Sequence, residues 1–210
     1  MTLHLRRSLP SADGLVGVAV CSAALGTYLG TLAPGLSWAN QGADGGDLIA
    51  AAMTWGVPHP SGYPTWVLIG RLIALLPLGD VAWRFNLYSA LAAAAATGTL
   101  YATSLLLAGS RPGSRHRLIC AAAALSFAFG RTLWSQAVIT EVYALSALCA
   151  ALPLYLALRS DLSPLLRYWA ALGLTVGVGL GAHLTLLLAL PGLALLVLPA
   201  LRRAPRRALA

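Results

Sequence analysis

The sequence predicts an all-α fold, a polytopic membrane bundle of about six transmembrane helices with interfacial helices in its first outer loop. Three observations predict it. Apolar residues fill 59% of the 210 positions and the mean hydropathy is +0.77. Charged residues make up only 10%, against about 25% in an ordinary soluble domain. The fourteen cations, all arginine, fall in short clusters between apolar runs. That is the mark of membrane topology, not the continuous basic stripe of a nucleic-acid surface. The net charge of +8 is therefore read as sidedness, and no nucleic-acid partner is expected.

A span takes about 20 apolar residues. The first runs over 14–36, behind Arg6 and Arg7. Ser37-Trp38-Ala39 resembles a signal cleavage site, but the apolar stretch is longer than an ordinary signal core, so a retained anchor is expected. Further spans are read at 86–108, 118–133, 138–158, 168–182 and 184–201, the third and fifth short enough to require tilt or burial by neighbours. Between the first two lies a long loop, 37–85. Within it, 48–57 and 65–78 are too short to cross and read as interfacial helices joined by His-Pro-Ser-Gly-Tyr-Pro. The whole chain, 1–210, is expected to be one membrane domain.

Eleven of the fourteen arginines lie in the N-terminus, the 109–117 loop, the 159–167 loop and the tail. The other three are Arg71, Arg84 and Arg131. The positive-inside rule then puts both termini in the cytoplasm. The non-cytoplasmic side receives Asp44, Asp47, His59, Asp80, Arg84, Trp134, Gln136, Glu141 and His183. Four of the six acids fall there, so the outer face is the chemical face. Cys21, Cys120 and Cys149 lie in apolar runs without metal-ligand spacing and read as small buried hydrophobes. Gly173, Gly177 and Gly181 recur every fourth residue, as do Gly26 and Gly30, a spacing that permits close helix contact.

The polar residues concentrate in 37–64. Asp44 and Asp47 flank Gly45 and Gly46, and glycines let a backbone turn sharply and approach a ligand. A carboxylate there suits a general base or a metal ligand. Asp47 also reads as a cap for the helix starting at residue 48, whereas Asp44 has no such structural role. His59 sits between two prolines, either structural or a positioned donor. Arg84, beside Asn86, either snorkels or clamps a phosphate with its guanidinium fork. Trp134, Val138 and Glu141 share a helix face. An acid at that depth is costly unless paired or working, with Arg84 and Arg131 as candidate partners. His183 joins the same face where the fifth span meets the sixth. There is no P-loop, Rossmann fingerprint, zinc spacing or Gly-x-Ser-x-Gly elbow.

These motifs, taken in order, resemble a family of polytopic glycosyltransferases that includes the transmembrane protein O-mannosyltransferases. The likeness is carried by Gly42-Ala-Asp-Gly-Gly-Asp-Leu-Ile-Ala-Ala-Ala, Gly56-Val-Pro-His-Pro-Ser-Gly-Tyr-Pro64, Gly70-Arg-Leu and Trp83-Arg-Phe-Asn-Leu-Tyr-Ser-Ala90. It continues through Trp134-Ser-Gln, Thr140-Glu-Val-Tyr-Ala-Leu145 and Gly181-Ala-His-Leu-Thr185. The resemblance implies a GT-C-like membrane fold and transfer of a mannose-like sugar from a polyprenyl phosphate to an acceptor hydroxyl, of protein or glycan, on the non-cytoplasmic side. It implies catalytic Asp44 with Asp47 as second carboxylate. A divalent cation is a candidate cofactor, and Asp44 and Asp47 are where it would sit. Candidate substrate-binding residues are His59, Tyr63, Arg84, Asn86, Trp134, Gln136, Glu141, Tyr143 and His183. The chain departs from the family pattern in having Asp47 where glutamate is frequent, Pro60-Ser61 in place of a proline pair, and fewer spans.

The expected location is a bacterial plasma membrane, with membrane lipids as neighbours and a partner subunit as a candidate source of further spans. The alternative function is a non-catalytic membrane subunit that retains the scaffold and binds a partner or a lipid. A small transporter is disfavoured, because the centres of the spans hold almost no charge.

Overall fold

A computed structural model describes residues 11–109, 113–159 and 166–203. Arg6, Arg7, Arg111, Arg206 and Arg207, which enter the charge asymmetry, lie outside the described residues. Those described form nine α-helices and no strand. They are α1 (Ser11–Gly30), α2 (Gly45–Thr54), α3 (Pro64–Ala74), α4 (Val81–Leu107), α5 (Ser114–Ala128), α6 (Arg131–Ala137), α7 (Tyr143–Leu158), α8 (Leu166–Ala182) and α9 (Leu190–Arg203). The expected interfacial helices are α2 and α3, and the sixth apolar run divides into a 3₁₀ segment, Leu184–Ala189, followed by α9.

Among the described residues, three helical stretches are long and apolar enough to cross a bilayer: Ala12–Gly30, Val81–Leu107 and Leu184–Arg202. A fourth crossing is made if α5 and α6, bent by 63° across a short break, count as one broken span. Six were expected from the apolar runs. The difference is one of length: α7 has 16 residues and α8 has 17. At 1.5 Å per residue either is about 25 Å long, short of a hydrocarbon core of about 30 Å.

Helix α4 is the centre. It packs against α1, α3, α5, α6 and α7, so it needs no amphipathic stripe. Its Ala90, Ala92, Ala93, Ala94 and Ala96 are all buried, and side chains that small let the neighbouring helices approach. Asp80 starts the helix by accepting the Trp83 N–H at 2.8 Å.

Side-chain bonds define the two ends of the bundle. At one end, Arg117 Nε of α5 donates to the buried Asp13 Oδ1 of α1 at 2.5 Å. At the other, the buried Asn86 donates to the carbonyls of Ala33 (2.8 Å) and Gly35 (3.0 Å) and accepts from Thr140 Oγ1 (2.7 Å). Ala33 N–H in turn donates to Val138 O at 2.9 Å. This second end also carries α2 and α3. Trp66 of α3 is fully buried, stacks on Phe85 with centroids 5.4 Å apart, and donates to Glu141 O at 3.3 Å. A Cβ at Gly70 would come within 2.7 Å of the Phe85 ring, so only glycine lets α3 lie this close to α4.

Of the Gly173, Gly177 and Gly181 face, Gly181 makes the expected close approach and the other two do not. A Cβ at Gly173 or Gly177 would meet nothing within 4 Å, and the same holds at Gly26 and Gly30. The close approaches of α8 are Gly179 against Cys149 and Gly181 against Thr65. Thr65 Oγ1 donates to Val178 O at 2.8 Å, which ties the head of α3 to the end of α8.

Candidate active site

The carboxylates of the first loop do not cap α2. The helix starts at Gly45, Asp44 occupies the cap position without a side-chain cap bond, and Asp47 falls in the first turn. Asp47 Oδ2 instead reaches across to residue 59, accepting from the backbone N–H and from ring Nδ1 of His59, each at 2.9 Å. The cap role expected of Asp47 is thus replaced by a clasp on the Pro-His-Pro turn. The His59 N–H, and then its ring, hold the Asp47 carboxyl below the usual carboxylate range.

The far nitrogen of that ring, Nε2, lies 3.2 Å from the Tyr63 hydroxyl and 3.5 Å from Asp44 Oδ2. Tyr63 heads α3 in the left-handed region (φ 42°), with Pro64 locking the first helical position. Burial, and then the neighbouring Tyr143 and Asp44, push the Tyr63 phenol upward. Its ring stacks on His183 at 5.6 Å, and His183 lies 5.8 Å from Tyr143. His183 accepts the Thr185 N–H at 3.2 Å at the α8 boundary. Burial pushes its imidazole downward, which favours the neutral form at pH 7.

A cavity of about 980 Å³ opens beside this cluster. Asp44 lines it together with Gln136, Glu141, Tyr143 and Arg131, and its apolar wall includes Phe127, Leu133 and Ala147. Glu141 lies in the turn before α7 and is 2% exposed. Burial, and then the charge of Asp44, push its carboxyl up to about 7. The cavity therefore pairs an exposed carboxylate, Asp44, with a buried carboxyl that holds its proton to near neutrality. Gln136 Nε2 donates to Asn40 O at 3.0 Å.

The cation of the site is Arg131. The backbone breaks at Gly130 between α5 and α6, and Arg131 opens α6. It lines the large cavity and also a second hollow of about 430 Å³, which holds Phe129, Trp134 and Val138. Among the described residues no salt bridge joins Glu141 to either arginine weighed as its partner. The signal that marks Arg131 in the sequence is a charge directly after a glycine inside an apolar run.

Three other candidates are held by the scaffold. Arg84 Nη1 donates to the carbonyls of Ala74 (2.6 Å) and Leu76 (2.7 Å), closing the C-terminal end of α3. Asn86 is spent on Ala33, Gly35 and Thr140. Trp134 donates from Nε1 to Thr31 Oγ1 at 3.0 Å while lining the smaller hollow. Among the described residues, no three His, Cys, Asp or Glu side chains come together in a way that could hold a metal ion.

The family described as the protein O-mannosyl-transferase TMEM260 N-terminal domain matches residues 44–204, most of the chain. The chain belongs to this family. The match begins at Asp44 and takes in His59, Tyr63, Arg131, Gln136, Glu141, Tyr143 and His183, while Thr31, Asn40 and Gln41 of the two hollows precede it. The mouse protein O-mannosyl-transferase TMEM260 is 40% identical over 121 residues, 57% of this chain and 16% of the mouse protein. The protein of the same name from Dictyostelium discoideum is 27% identical over 120 residues, 55% of this chain and 14% of its own length. The chain thus matches only a small part of the length of these relatives. No solved structure matches it significantly.

Proposed function

We propose that this chain is a membrane glycosyltransferase that moves a mannose-like sugar from a polyprenyl-phosphate donor to an acceptor hydroxyl on the non-cytoplasmic side. One observation carries the reading: Asp44, Glu141 and Arg131 line a single cavity. Membership of the TMEM260 N-terminal family and the relatives named as protein O-mannosyl-transferases support it. The arginine distribution supports the sidedness.

Asp44, with its side chain 45% exposed, accepts the proton of the acceptor hydroxyl as that oxygen attacks the anomeric carbon. The bond from that carbon to the phosphate oxygen breaks, and its electron pair leaves on the polyprenyl phosphate. Arg131 steadies the charge that develops there. It takes this role in preference to Arg84, which already serves the carbonyls of Ala74, Leu76 and Asp80. Gln136 and Tyr143 present an amide and an aromatic face to the sugar, and protonated Glu141 supplies a hydrogen-bond donor to a sugar hydroxyl. The prenyl chain lies against the helices past Phe129 and Trp134. A single displacement inverts the anomeric centre. The test is transfer of radiolabelled mannose from a polyprenyl phosphate by the purified chain, with Asp44→Asn expected to lose it. Full transfer by Asp44→Asn overturns the assignment. A stoichiometric co-purifying partner, with activity indifferent to Asp44, favours the subunit reading.

A further inference from the structure

The two hollows of the site meet at Asn40, Arg131 and Ser135, which line both. On one side lies the polar chamber with Asp44 and Glu141, on the other the apolar one with Phe129, Trp134 and Val138. Among the described residues lining either hollow, Arg131 is the one cation. Asn40 reaches this junction on a costly backbone. It lies in a single 3₁₀ turn, Ala39–Gln41, in which Asn40 (φ 57°) and Gln41 (φ 65°) are both left-handed. Residues other than glycine rarely adopt that region, and asparagine tolerates it better than most. Such a conformation persists where the surroundings over-determine it, and it clusters at ligand sites. Here Gly42 makes room, since a Cβ there would strike the Ser37 carbonyl. Gln136 supplies the hold: its Nε2 donates to Asn40 O at 3.0 Å and to Ser135 Oγ at 3.3 Å. Ser135 Oγ in turn donates to Thr132 O at 3.0 Å, which ties the buckle into α6. The backbone of Asn40 is thus pinned, while its side chain is exposed and its amide makes no hydrogen bond among the described residues.

We propose that Asn40 recognises the donor: its side-chain amide and the Arg131 guanidinium together hold the phosphate of a prenyl-phosphate lipid at the junction. The proposal rests on the reading of Arg131 as the phosphate clamp and extends it. The guanidinium meets the charge of the phosphate, and the amide donates to an oxygen that the arginine fork leaves free. The junction also suits the build of such a lipid, a charged group between a sugar and a hydrocarbon chain. The sugar enters the polar chamber, and the first isoprene units enter the apolar hollow. Asp44, whose charge repels a phosphate, lines the large chamber and not the smaller hollow, which sets the phosphate on the Arg131 side. Gln136 is the positioning residue. Its amide hydrogens are spent on Asn40 and Ser135, and its Oε1 remains for the sugar. Asn40 stands outside the segment that the family matches, 44–204.

The experiment titrates the purified chain with fluorescently labelled farnesyl phosphate, a short prenyl phosphate, and with farnesol bearing the same label. Wild type is expected to prefer the phosphate, and Arg131→Ala to lose that preference. Asn40→Gly is the deciding variant, because glycine adopts the left-handed turn freely and only the amide is lost. It is expected to weaken farnesyl phosphate binding by about tenfold, to leave farnesol binding and Tm unchanged, and to raise donor KM in the transfer assay by a similar factor. Asn40→Asp keeps the size and the turn preference but adds a negative charge, and is expected to weaken farnesyl phosphate at least as much. Gln136→Ala is expected to weaken it in wild type and to change nothing further in Asn40→Gly. Since the probe carries no sugar, that loss reports on Asn40 and not on a sugar contact. Wild-type affinity for farnesyl phosphate in Asn40→Gly or Asn40→Asp overturns the role of Asn40, and a loss confined to Arg131→Ala then leaves the donor reading in place. A wild type that does not prefer farnesyl phosphate to farnesol overturns the donor reading and the role of Asn40 with it.

Discussion

One oxygen of Asp47 holds both the backbone N–H and the ring Nδ1 of His59, each at 2.9 Å, across twelve residues of chain. Those two bonds fasten the connection between α2 and α3, and they depend on the charge of Asp47. The carboxyl is held below its ordinary value of 3.8, so the stability it contributes is present above that pH and is lost as pH falls through its lower folded value. Wild type should therefore lose Tm relative to Asp47→Asn as pH falls below 3.8, measured by thermal melting at matched ionic strength. Equal Tm slopes would remove the clasp from the stability account.

Glu141 gives the opposite sign. Its carboxyl sits at about 7 in the folded chain against an ordinary 4.5. The folded state keeps a proton that the unfolded state has lost, so stability falls as pH rises from 4.5 to 7 and is flat above. At about 1.4 kcal/mol per pH unit the loss is on the order of 3 kcal/mol. Glu141→Gln should flatten that stretch of the Tm profile, and an unchanged profile would show that Glu141 ionises freely.

Two of the arginines near the polar end, Arg131 and Arg84, should separate cleanly. Arg131→Ala should raise the donor KM and lower transfer by at least about tenfold, because a phosphate clamp is lost, with little change in Tm. Arg84→Ala should lower stability by about 1.5–3 kcal/mol, since two carbonyls lose a charged donor, and should leave donor KM in place. Donor titrations beside thermal melts decide it, and a KM effect at Arg84 with none at Arg131 would reverse the assignment.

Asn86→Ala should be among the most destabilising changes at this end of the bundle. It strips the Ala33 and Gly35 carbonyls of a donor and the Thr140 hydroxyl of an acceptor, a cost of about 2–4 kcal/mol. Wild-type Tm in that variant would show that water replaces the amide.

The helical class was legible because apolar run length is a property of local sequence. The two short helices α2 and α3 were legible because both apolar runs, 48–57 and 65–78, are too short to cross and Pro64 and Pro77 bound the second. That Asp44, Gln136, Glu141 and Tyr143 line one cavity followed the reading that polar residues gather on one face. The role of Arg84 was not legible, because its partners are the carbonyls of Ala74 and Leu76, which no side-chain pattern announces. Asp47 looked like a cap because a carboxylate next to a helix start satisfies that rule whether or not a histidine twelve residues on competes for it. The open faces of Gly173 and Gly177 have the same origin: spacing reports which residues share a face, not what that face meets. Arg131 was visible as a charge, but its place between two hollows depends on a 63° bend that Gly130 permits without specifying.

Among the described residues, hydrogen bonds fasten α1 and the residue that follows it to the α5–α6 segment: Arg117 with Asp13, Tyr28 with the Ala128 carbonyl, and Trp134 with Thr31. They join residues 104, 100 and 103 positions apart. A ribosome therefore completes the first helix long before any of these partners exists. About a hundred further residues must therefore be made after α1 before this seam can close, and each bond carries the loop-closure entropy of that separation.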